Sequence, residues 1–73
     1  MDIFTVKGCC NTGENRSWFG QVHINLETIS AVAVKEDGFL CTVFMEGGVR
    51  VEFDTRDDYT LLMDRMANQS EGD

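Results

Sequence analysis

The chain has 73 residues, 42% of them hydrophobic and none proline, and a net charge of −7 from thirteen acids against six Lys and Arg. That length holds at most one domain, near the lower limit for folding alone, and the composition is globular rather than disordered or collagenous. The charge argues against nonspecific binding to DNA, RNA or an anionic membrane, which needs clustered Lys and Arg, and no apolar run approaches the ~20 residues of a membrane span.

Residues 2–7 alternate, with Phe4 and Val6 on one face and Ile3 and Thr5 on the other, which predicts a strand. The segment opens Met1-Asp2 without a basic stretch and does not read as a secretory signal. Residues 8–17 are rich in Gly, Asn and Ser and predict a loop. Residues 18–25 alternate again, with Trp18, Gly20, Val22 and Ile24 opposed to Phe19, Gln21, His23 and Asn25. Leu26 to Ile29 interrupts the pattern as a turn or a single helical turn.

Three strands follow at 30–35, 39–45 and 49–54, separated by Glu36-Asp37-Gly38 and Glu46-Gly47-Gly48. Short glycine turns between alternating runs predict an antiparallel meander. Thr55 as N-cap, with Asp58 three residues on, begins a helix. Tyr59, Leu62, Met63 and Met66 share its apolar face. The expected fold is α+β: about five antiparallel strands, curled at most into a half-barrel, with one C-terminal helix on one face. A single domain spans 1–67, and the polar residues 68–73 read as a frayed tail.

The strand at 39–45 is apolar on both faces, with Phe39, Cys41, Val43 and Met45 opposed to Leu40 and Phe44. One helix covers one face, so the second requires closure of the sheet or another subunit. The expectation is a homo-oligomer, most simply a dimer. Cys9, Cys10 and Cys41 are an odd set, which favours reduced thiols and a cytoplasmic location over a disulfide scaffold. With His23 they have the donor types of a zinc site. Adjacent cysteines diverge on an extended backbone, however, so no metal, cofactor or catalytic residue is assigned. His23 belongs to no recognised nucleophile motif.

Two groups are candidate binding residues. Arg16, Trp18 and Phe19 are types that dominate interfaces. Glu36, Asp37, Glu46, Glu52 and Asp54 form an acidic set suited to a basic protein partner. The run from His23 to Val32, followed by Gly47-Gly48-Val49-Arg50-Val51, resembles the strand–turn–strand rhythm of small bacterial swarming-motility proteins and of LytTR DNA-binding domains over about residues 22–66. A LytTR-like domain implies basic DNA contacts, which this acidic chain lacks, and neither family is assigned. The expected function is a noncatalytic interaction module, homo-oligomeric, of the regulatory or inhibitory kind. Phage and mobile-element inhibitors supply the analogy. One alternative is a module that sequesters a small anionic, nucleotide-like ligand between subunits, with Arg16 on the anion. Another is a purely structural assembly subunit.

Overall fold

Alternating burial runs from Ile3 to Asn11 without a break, and this whole stretch is the first strand, β1. It pairs in antiparallel register with β2, Ser17–Asn25, from Ile3 opposite Asn25 to Asn11 opposite Ser17. The computed structural model describes residues 2–13 and 16–71. Met1, the loop residues 14–15 and the tail residues 72–73 lie outside the described part. The loop expected over 8–17 is corrected to a shorter connection, because Gly8, Cys9, Cys10 and Asn11 are strand residues.

Gly8 is in the strand for a reason other than a turn. A Cβ on it would lie 2.4 Å from the Glu52 carbonyl oxygen and 3.1 Å from the Phe53 Cβ. Only glycine lets β1 pass this close to the neighbouring backbone.

Beyond β2, Leu26–Thr28 forms one 3-10 turn. The Asn25 side chain accepts from the Glu27 amide (3.0 Å), and the Thr28 hydroxyl donates to the Asn25 carbonyl (2.8 Å). The meander then follows as β3 (Ile29–Lys35), β4 (Leu40–Met45) and β5 (Arg50–Phe53). Gly47 and Gly48 both adopt positive φ, 86° and 80°, in the three-residue turn between β4 and β5. A side chain at either position would be strained there. The turn closes with the Met45 amide donating to the Val49 carbonyl at 2.8 Å.

The sheet order is β2-β1-β5-β4-β3, antiparallel throughout. A β1–β2 hairpin thus joins the meander along β5, through Cys9, Cys10 and Asn11 opposite Glu52, Val51 and Arg50. The sheet stays open, with β2 and β3 as its edges.

Helix α1, Arg56–Glu71, packs on the inward face. Its Leu62 is fully buried in a core with Ile24, Cys41, Val43 and Val51, and Tyr59, Met63 and Met66 pack around it. Burying each of the larger apolar side chains contributes about 1.5–3 kcal/mol. The helix start is fixed on Phe39, whose ring meets Tyr59 edge-on at 5.7 Å and lies 4.6 Å under the Arg56 guanidinium. Its far half is tied to the start of β1: Arg65 pairs with Asp2 and donates to the Ile3 carbonyl. That ion pair is well exposed and adds at most about 1 kcal/mol. The helix also runs through 68–71, further than the apolar periodicity predicts.

The glycines of β1 and β2 give a direct check of this packing. Gly8→Ala is expected to cost about 1–3 kcal/mol, because backbone must move to admit one methyl. Gly20→Ala, which meets only the Trp18 ring at 3.6 Å or more, is expected to be neutral or to stabilise by a few tenths of a kcal/mol. Urea unfolding of both variants measures the contrast.

Candidate binding face

Because side chains alternate across a strand, the sheet has a second face that the helix never meets. Ile3, Thr5, Lys7 and Cys9 of β1 lie on it, with Phe19, Gln21 and His23 of β2, Arg50 and Glu52 of β5, Leu40, Thr42 and Phe44 of β4, and Ala31, Ala33 and Lys35 of β3. Several of its apolar groups are open to solvent: Phe19 is 75% exposed, Ile3 38% and Phe44 37%.

Charge is distributed unevenly over the molecule. Lys7, Lys35 and Arg50 lie on the outward strand face, against Glu52 alone among the acids of those strands. The remaining described acids occupy the position just before β1, the turns, the approach to the helix and the helix itself. The face is therefore locally basic on a chain whose net charge is −7.

An open cavity of about 420 Å³ lies on this face, lined by Lys7, Cys9, Phe19, Leu40, Glu52 and Asp54 among others. Its walls are Phe19 and Leu40. Two carboxylates face one ammonium. That balance suits an apolar or cationic group better than an anion.

The structure brings together three of the residues singled out in the sequence, Phe19, Glu52 and Asp54. It separates the others. Trp18 and Phe19 project to opposite sides of β2, and Trp18, 49% exposed, lies on the helix side across Gly20. Arg16 stands in the connection before β2, where its carbonyl accepts from the Thr12 amide (3.2 Å). Glu36 and Asp37 belong to the β3–β4 turn, and Glu46 to the β4–β5 turn at the opposite end of the sheet. The acidic set is thus not one continuous edge. Lys7, Cys9 and Leu40 are not among the candidate binding residues of the sequence, although the sequence already places Leu40 on the second face of its strand and the parity of β1 puts Lys7 and Cys9 on the same side.

The cysteines divide in the same way. Cys10 and Cys41 are buried on the helix side and Cys9 faces outward. Burial pushes the Cys41 thiol up, and it does the same to Cys10, with a smaller contribution from neighbouring Cys9. His23 bonds to the Thr5 hydroxyl through Nδ1 at 2.9 Å. Thr5 stands four residues along β1 from Cys9, or roughly 13 Å, beyond reach for a thiol–imidazole pair. Among the described residues no group of three His, Cys, Asp or Glu side chains is placed to hold a metal ion.

No protein-family model, curated protein or solved structure matches the chain.

Thiol labelling tests this placement. At neutral pH the folded protein is expected to react quickly at Cys9 alone, and all three thiols are expected to react once urea unfolds the chain. The raised thiols also set a sign for pH. Each folded state holds its proton more tightly than the unfolded one, so this stabilisation is complete below the unfolded thiol value and lost as pH rises above it. The urea midpoint is expected to fall on going into that alkaline range, and less so in Cys41→Ala.

Proposed function

We propose that this chain is a noncatalytic binding module that acts by covering its open sheet face with the surface of a protein partner. One observation carries the reading: a helix shields one face of the sheet, while the other exposes Phe19, Phe44 and Ile3 in the company of Lys7, Lys35 and Arg50. Exposed apolar side chains interspersed with charged ones are a common make-up of a protein-binding surface.

Local charge specifies the partner more closely than net charge does. The acidity of the whole chain suggests a basic partner. The face itself carries three bases against Glu52, with Asp54 at the margin, so away from the cavity, around Lys35 and Arg50, its complement combines apolar groups with carboxylates. The same observations do not favour a nucleotide-like ligand, because Arg16 stands apart from the cavity and the cavity holds more carboxylate than ammonium.

The test uses residues of the meander. Phe44→Ser and Arg50→Glu lie opposite one another on β4 and β5. Both are expected to release a partner captured from host extract, with thermal melting within a few degrees of wild type. Asp64→Asn, on the exposed side of the helix, is expected to retain it. Equal retention by all three variants would refute the proposed face.

A further inference from the structure

The two edges of the sheet are protected very differently. At β3 the register with β4 shifts between Ile29 and Ala31, the Ser30 hydroxyl donates across to the Phe44 carbonyl (3.1 Å), and Lys35 ends the strand. A bulge and a terminal lysine are common devices against edge-to-edge pairing. Strand β2 has neither. It runs nine residues without a register shift, and Ser17–Asn25 contains no Asp, Glu, Lys, Arg or Pro.

The backbone groups it offers follow from two hydrogen bonds. At one end of the β1–β2 ladder the Leu26 amide donates to the Asp2 carbonyl (3.0 Å). At the other the Thr12 amide donates to the Arg16 carbonyl (3.2 Å). Hydrogen-bonded pairs alternate along an antiparallel ladder. Both bonds fall on even-numbered residues, so Trp18, Gly20, Val22 and Ile24 direct their amides and carbonyls to β1. Ser17, Phe19, Gln21, His23 and Asn25 direct theirs to the free edge.

We infer that β2 is a self-pairing edge, which joins antiparallel to β2 of a second copy about a two-fold axis at Gln21 and continues the sheet across two chains. Gln21 then faces Gln21 of the second copy, Phe19 faces its His23 and Trp18 faces its Ile24. These are same-face pairs, and the exposed ring of Phe19 gains the exposed, planar His23 as its neighbour, while Ile24 stays buried in its own chain. Charge opposes a copy of this chain less at this edge than at the edge β3, where like-charged Lys35 side chains would meet. Two molecules of net charge −7 repel, and β2 is the edge strand that brings no formal charge to the contact. The pairing uses the edge and leaves the outward faces of β4 and β5 free, so it stands apart from the partner reading above.

Sedimentation equilibrium and cross-linking on the full chain test the inference. Wild type is expected to dimerise. Gln21→Lys and Gln21→Glu, which set like charges against each other on the two-fold axis, are each expected to dimerise more weakly, and an equimolar mixture is expected to recover a mixed dimer. Gln21→Glu also stands opposite Lys7 within its own chain, so its weaker dimer would not reflect loss of fold. Hydrogen-bonded antiparallel partners have Cα atoms about 5.5 Å apart, within disulfide reach. Mild oxidation of Gln21→Cys in a Cys9→Ser background should therefore give a covalent dimer, and Lys35→Cys in the same background should not. A wild-type chain that sediments as a monomer at every concentration would overturn the inference. So would a dimer unchanged in both charge variants and not linked through position 21.

Discussion

One helix of sixteen residues can shield one side of a five-stranded sheet and no more. At ~1.5 Å per residue it is about 24 Å long, while five strands at ~4.8 Å spacing are roughly 19 Å across. That limit sets the character of every strand. Inward positions are Phe4, Val6, Val22, Ile24, Cys41, Val43, Val51 and Phe53, all buried beneath the helix and its surroundings. Outward positions mix Thr, Gln, Lys and Arg with Phe and Leu. Those side chains stand toward solvent.

The helix is held at both ends by contacts of different kinds. Near its start, Phe39, Tyr59 and Arg56 stack an aromatic pair under a cation. Such contacts are worth more in partly desolvated places than an exposed ion pair. Toward the other end, Arg65 reaches the first residues of β1. Between them Leu62 enters the core where hairpin and meander meet. The helix therefore orients the two halves of the sheet relative to each other, and with them the walls of the outward cavity.

Much of this was legible in the sequence. Strict alternation at 49–54 and the glycine turns at 36–38 and 46–48 mark the meander. Tyr59, Leu62, Met63 and Met66 mark the face of the helix. The hairpin was less legible because Gly8 signals a turn by composition, whereas it serves a close approach between strands forty residues apart in sequence. The end of the helix was missed because the polar residues 68–71 have no apolar periodicity to show. The candidate site was legible only in pieces. Arg16, Trp18 and Phe19 are neighbours in the chain, but the period of two sends the rings of Trp18 and Phe19 to opposite sides. Phe19, Glu52 and Asp54 meet only because β1 pairs with β5, and no local pattern encodes that pairing.

The seam between β1 and β5 bears on how quickly the chain can fold. The β1–β2 hairpin and the β3–β5 meander are each built from near neighbours, and such hairpins close in about 1–10 μs. Cys9 and Glu52, by contrast, meet across most of the chain. Closing a loop of that length costs chain entropy before any contact offsets it. Non-local pairing of this kind sets the rate of folding more than it sets stability. The hairpin and the meander are thus fast-forming units that wait on one slow encounter. Until it occurs, the apolar faces of both remain exposed to other chains.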